Sequence, residues 1–245
     1  MDIHKPKPWR GWPEFLKEIG TIVIGVLIAL AAEQAVEWLH WRHLAEQDEA
    51  DLAAGMRNNL VNAVELAAID PCQRVRITEL AAALQKPGPD WRANPMPIAN
   101  PQRRTYIVPT VYGGTGPLWS HAPWETALGS GVLNHMPRER VARYADLYRV
   151  VDVTRVRQTD ENIRASQLAA LGYDRKLTDA EKATYLGLLS EMESTQHAMR
   201  NVARQLLTGA HALGIDPPAD QVAERVARQR DLRGACVTDV KLPLS

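Results

Sequence analysis

The chain is poor in aromatic side chains, with a single phenylalanine, and its 29 basic and 29 acidic residues cancel. That balance leaves no basic field for a nucleic-acid surface, so nucleic acid is not an expected partner. Two cysteines are too few for a disulfide-dense scaffold, and Cys72 and Cys236 lack the close spacing of a zinc or redox pair. No glycine loop has phosphate-cradling spacing, no serine sits in a nucleophile-elbow pattern, and no internal repeat is visible. Long hydrophobic runs are scarce too. There is one, Ile19–Ala32, IGTIVIGVLIALAA, bracketed by Trp9 and Trp12 before it and Trp38 and Trp41 after it.

Three readings of this run compete. A soluble core helix should carry polar side chains at helical intervals, whereas Thr21 is the only one here. A cleaved signal peptide fits the basic start and the small residues at Ala29-Leu30-Ala31, but Glu14 and Glu18 crowd the apolar segment and the helical pattern continues past that site. A membrane anchor meets the objection that 14 residues make only about 21 Å of helix against a core of about 30 Å. Counting the shoulders answers it. Trp12 and Trp38 stand about 39 Å apart along a helix, close to the ~40–45 Å between headgroup zones. Tryptophans at both ends match interfacial belts, and Lys17 can extend its ammonium to the headgroups. The anchor reading, over residues 19–41, is the best of the three.

Lys5, Lys7, Arg10 and Lys17 precede the run, while Arg42 is the only Lys or Arg between Glu33 and Met56. The charge rule then puts residues 1–18 in the cytoplasm and residues 42–245 outside, which in a bacterium means an inner-membrane protein with a periplasmic domain. In that oxidising compartment Cys72 and Cys236 are expected to bond; two independent buried thiols are the alternative.

The expected fold is all-α: the anchor helix runs on into a periplasmic helical bundle with one long Pro/Gly-rich crossover loop. Leu39, Leu52, Met56, Leu60, Val64 and Ala67 form a stripe at mostly helical spacing. Asp70-Pro71 reads as a cap and first-turn proline opening a second helix, Cys72 to Lys86. Residues 87–122 read as irregular; Pro87 to Pro117 holds seven prolines and four glycines. Thr105 to Tyr112 reads as extended, and Trp91, Tyr106, Tyr112 and Trp119 imply that the loop packs on something. Further helices are expected at Pro123 to Gly129, from Pro137 to Gly172, from a capping box at Thr178 to Gly214, and from an Asp216-Pro217-Pro218 cap to about Arg233.

Candidate sites are few. Thr21, Gly25 and Ala29, four apart, make a small-residue face on which another helix can pack, and the series continues to Glu33 and Glu37. A carboxylate near membrane depth is either a specific contact for a partner or a headgroup-layer residue. Glu37, His40, His43 and Glu46 are metal-capable types, but steps of three rotate them off one face, so polar padding beside the membrane is the better reading. Ser120, His121 and Glu125 evoke a hydrolytic set without its geometry; a helix start with a packed Trp124 accounts for them. His135, His197 and His211 look isolated, and Arg225, Arg228, Arg230 and Arg233, interleaved with acids, read as a solvated face.

Two blocks resemble a widespread bacterial family of single-pass membrane proteins to which no activity is assigned. Glu18-Ile19-Gly20, Gly25, Ile28-Ala29-Leu30 and Glu33-Gln34 are similar to the family's "GEI-x-L-V-x-I-G-I-L-I-A-L" anchor, with Glu18 one place from the usual acid. Trp124-Glu125-Thr126-Ala127-Leu128-Gly129-Ser130-Gly131-Val132-Leu133, with Tyr144 and Tyr148 after it, resembles its second block. The resemblance implies an anchor plus an extracytoplasmic helical domain.

The functional expectation is therefore a non-catalytic accessory or scaffold subunit, without cofactor. Its partners are the lipid bilayer and either a membrane protein or further copies of itself. A periplasmic ligand-sensing bundle with a separate signalling partner is the alternative, and a hydrolase the remote one.

Overall fold

The computed structural model describes residues 11–100, 102, 109–113 and 118–240. Trp9, Lys5, Lys7, Arg10 and Tyr106, and the first half of the segment read as extended, lie outside them.

One helix organises everything. α1 runs from Trp12 to Leu84, 73 residues without a break, a rod of about 110 Å. Pro13 sits in its first turn, where a missing N–H is harmless. α2 (Ala122–Ser130), α3 (Arg138–Gln167), α4 (Asp179–His211) and α5 (Ala219–Arg233) follow. Two-residue strands, β1 (Asp90–Trp91) and β2 (Arg175–Lys176), pair antiparallel and tie the crossover to the turn after α3. The fold is all-α, as the sequence implies.

α4 lies antiparallel along the second half of α1. Lys182 Nζ donates to the Lys86 carbonyl at 2.8 Å at one end, and Arg200 meets Asp70 at 2.8 Å further along. α3 and α5 run parallel to α1. Arg140 bonds Glu49 through Nε at 2.7 Å, and Arg225 bonds Glu65 at 2.8 Å. The core has two centres. Leu52, Met56, Leu60 and Val64 pack on Tyr144, Tyr148 and Val151 of α3 and Met199, Ala203 and Leu206 of α4. Ile77, Leu80 and Leu84 pack on Trp91, Leu168, Leu171, Leu189 and Met192. Gly55 marks the closest approach: a Cβ there would stand 2.5 Å from Pro123 and 2.9 Å from the Tyr148 hydroxyl. Of the expected stripe, Leu39 is exposed and Ala67 only partly covered.

Pro71 does not open a second helix; it lies inside α1. Its ring leaves the Ala67 carbonyl without a helical donor, a defect that normally costs about 3 kcal/mol. The surroundings hold the rod together there. Asp70, read as a cap, instead accepts from Arg74 at 2.9 Å and from Arg200. Cys72 is bonded to Cys236, and Thr238 N donates to the Ala68 carbonyl at 3.0 Å. The C-terminal segment is thus pinned where the helix is weakest.

Other boundaries moved less. α3 ends at Gln167 and a 3-10 turn, Ala169–Gly172, follows it. The capping box at Thr178 forms as expected, with Thr178 and Glu181 exchanging bonds. Asp216 does not cap α5: Pro218 holds that position, and Asp216 pairs with His211 at 2.8 Å. α2 stops at Gly131, whose φ of 75° is the left-handed turn that favours glycine. Trp91, Tyr112 and Trp119 are buried, so the described parts of the crossover do pack.

Candidate functional site

From Trp12 to His40, no side chain of α1 is buried by the rest of the protein. α1 is the one described helix long and apolar enough to cross a membrane, and none of its most apolar stretch is covered. Ile24 is 60% exposed and Ile28 65%. In water such a row is strongly unfavourable, since each large aliphatic side chain forgoes about 1.5–3 kcal/mol of burial.

Thr21, Gly25, Ala29, Glu33 and Glu37 all stand on this bare stretch. The Thr21 hydroxyl donates back to the Lys17 carbonyl at 2.9 Å, the usual way a helix satisfies it in an apolar setting. A Cβ on Gly25 would meet nothing within 4 Å, so none of the described residues occupies that face. Steps of four advance about 40° on a straight helix, so the series winds slowly round the rod. Thr21, Gly25 and Ala29 share one side; Glu37 has turned well away from it.

Glu37 belongs instead to a cleft where the bare helix meets the bundle. It has a volume of about 440 Å³ and is lined by Gln34, Glu37, Trp38, Trp41, Arg42 and Glu46 of α1 and by His135, Met136 and Pro137 before α3. Trp41 stacks face to face on His135, with centroids 4.0 Å apart and planes 7° off parallel. Arg42 lies 5.5 Å above the Trp38 ring and donates to Glu46 at 3.1 Å. Among the described residues Glu37 accepts only a long 3.5 Å contact from Trp41 Nε1. Trp38 is exposed, and Trp12, at the other end, rests edge-on against Phe15.

His135 was not legible as part of any site, because a lone histidine in a turn carries no local signal of a ring so far away in sequence. Other polar residues singled out from the sequence are taken up by neighbouring side chains. His43 bonds Gln47, and His197 bonds Arg200 and Asn201. Among the described residues no three His, Cys, Asp or Glu are grouped to hold a metal. The Ser120 backbone is gripped from both sides by the Asn59 amide, at 2.8 and 3.0 Å. His121 Nδ1 lies 3.4 Å from Glu125, and its ring leans edge-on against Tyr148. The arginine strip of α5 is only half solvated. Arg225 reaches the buried Glu65, and Arg233 turns inward to Gln229 and the Gly113 carbonyl.

Inside the far end of the bundle lies a polar core. Tyr112 donates to Glu161 at 2.9 Å, and Gln196 bonds both. Burial first, then the Glu161 charge, push the Tyr112 phenol well above its ordinary value. Burial lowers the Arg233 and Arg76 guanidinium values from a very high start, and both remain cationic. Arg76 ties the crossover down through the Val111 and Asn94 carbonyls. Among the described residues Gln73, 1% exposed, finds no partner for either amide atom.

Comparison of the chain with protein-family models, with curated proteins and with solved structures gives no match.

Proposed function

We propose that the protein is a non-catalytic single-pass membrane protein, anchored through residues 19–41 with its bundle on the periplasmic side of a bacterial inner membrane. There it serves as an accessory or scaffold subunit that binds a membrane partner, or another copy of itself, through Thr21, Gly25, Ala29 and Glu33. The observation that carries this is the bare first half of α1, whose run Ile19–Ala32 is apolar all round and covered by none of the described residues. Trp12, Lys17, Trp38 and Trp41 sit where interfacial anchors belong. The basic residues before the span and their scarcity after it support the orientation.

The two sides of the rod divide the labour. Gly25 and Trp41 are 16 positions apart, which at about 100° per residue places them roughly 160° apart around the axis. The bundle therefore leans over the Trp41 side, and a helix docking on Gly25 and Ala29 approaches from the open side. Single cysteines along residues 19–37 test this, since the chain's own two cysteines are already bonded. Crosslinks should concentrate at Gly25, Ala29 and Glu33 and be weak at Val23 and Leu27. Equal yields on every face would remove the docking face.

A sensing bundle is the second reading. It is favoured by the Gln73 amide, unpartnered among the described residues, beside a partly open pocket of about 80 Å³ shared with Arg76, Tyr112 and Arg233. A melting-temperature screen of the full chain in detergent against small polar ligands addresses it, and a flat result argues against sensing.

A further inference from the structure

The cleft at the junction of span and bundle lies at the level of Trp38 and Trp41. If α1 spans the bilayer, as proposed above and on which this inference rests, that level is the outer headgroup layer. We propose that the cleft binds the headgroup of an aminophospholipid, a primary ammonium joined through a short ester to a phosphate.

The charges in the cleft point to such a ligand. Glu49 is neutralised by Arg140 and Glu46 by Arg42. Glu37 has no cationic partner among the described residues, and only the long contact from Trp41. A carboxylate in a cleft walled by two indoles, held only at the Trp41 ring N–H, is a place for a cation, which gains chiefly from the charge. A primary ammonium, with three donors, can also hydrogen-bond to Glu37. Arg42 is the next side chain along. It uses Nε on Glu46, and its terminal nitrogens are open to a phosphate that follows the ammonium at short range.

The architecture favours a lipid over a free amine or a protein segment. The cleft begins at Gln34 on the bare apolar stretch and ends at Glu49 under the bundle. A molecule with its headgroup at Trp41 would therefore have its acyl chains beside Leu30 and Leu27, already in hydrocarbon. His135 closes the far wall by stacking on Trp41. The Trp41–His135 stack thus sets the height of the bundle above the membrane and shapes the pocket at once.

Native mass spectrometry of the full chain in mild detergent, titrated with phosphatidylethanolamine, phosphatidylglycerol or phosphatidylcholine, tests the assignment. Phosphatidylethanolamine should be retained over phosphatidylglycerol by about tenfold, the ratio that 1.4 kcal/mol gives. Glu37→Gln should abolish that preference, and His135→Ala should weaken retention of all three. Circular dichroism on each variant checks the fold. Equal retention of the anionic and zwitterionic lipids by the wild-type chain overturns the proposal, as does a cleft occupied by a co-purifying protein with no lipid bound. Alkaline washing of membranes separates the two layers of inference. A chain that stays in washed membranes but shows no headgroup preference overturns the lipid site alone. A chain that washes off overturns the span, and the lipid site with it.

Discussion

The two halves of α1 share one backbone and obey opposite rules. Residues 12–40 carry apolar side chains on every side and bury none of them. Beyond Leu44 the same helix becomes amphipathic: Leu52, Met56, Leu60 and Val64 are fully buried, while Asp51, Arg57 and Asn58 stay in solvent. A one-sided apolar stripe specifies packing against partners in water, whereas an all-round one needs an apolar solvent instead. The change of pattern, with no change of secondary structure, shows where the surroundings of the helix change. It falls at Trp38 to Ala45.

Perturbing each half separately sharpens the contrast. The largest effect belongs to the packed half. Loss of the Cys72–Cys236 bond, which closes 164 residues, should lower stability by up to about 5 kcal/mol in the chain-entropy model. Denaturant unfolding of Cys72→Ser/Cys236→Ser in detergent measures it. Leu60→Ala, at a site of 0% exposure, should lose about 2–5 kcal/mol in the same experiment. Its counterpart Leu27→Ala should leave unfolding of the bundle unchanged, and equal losses in both halves would erase the distinction.

Gly55→Ala tests the tightest contact. The added methyl collides with Pro123 and the Tyr148 hydroxyl, and strain of about 1–3 kcal/mol is expected, read as a lower unfolding midpoint. At Gly25 the same substitution meets nothing, so the bundle should not feel it, while partner crosslinking at Ala29 should fall.

The smallest effect is alkaline. The folded-state phenol values of Tyr112 and Tyr144 are raised, chiefly by burial. The stability they contribute is complete below the unfolded-state value of about 10 and is lost as pH rises above it toward the folded-state values. Unfolding midpoints should therefore fall above about pH 10, and Tyr112→Phe should flatten that decline. Both cysteines are bonded, so no thiolate contributes to it.

What could be read from the chain alone was what depends on neighbours in sequence. The periodic stripe of α1, the Thr178 capping box, the short helix from Pro123 and the long apolar run all rest on residues within a few turns of one another. The misreadings share a different cause. Asp70-Pro71 carries the local chemistry of a helix start, and what overrides it comes from distant segments: Arg200, Cys236 and Thr238. Arg225 and Arg233 look solvated in their own helix and turn inward only because Glu65 and Gly113 lie across from them. The cleft was half legible. Trp38, Trp41 and Glu37 were singled out for the membrane, but His135, which completes it, has no signature without the fold.

The unbroken course of α1 has a mechanical consequence. Between Gly25 and Leu60 no loop or proline interrupts the rod, and the Trp41–His135 stack braces it to the bundle just past the bare stretch. It behaves as a torsion shaft rather than a tether. A shift of the bare stretch along its axis carries the bundle the same distance, and a turn about the axis rolls the bundle through the same angle. The placement of residues 12–40 and the orientation of the bundle are in this way a single coordinate.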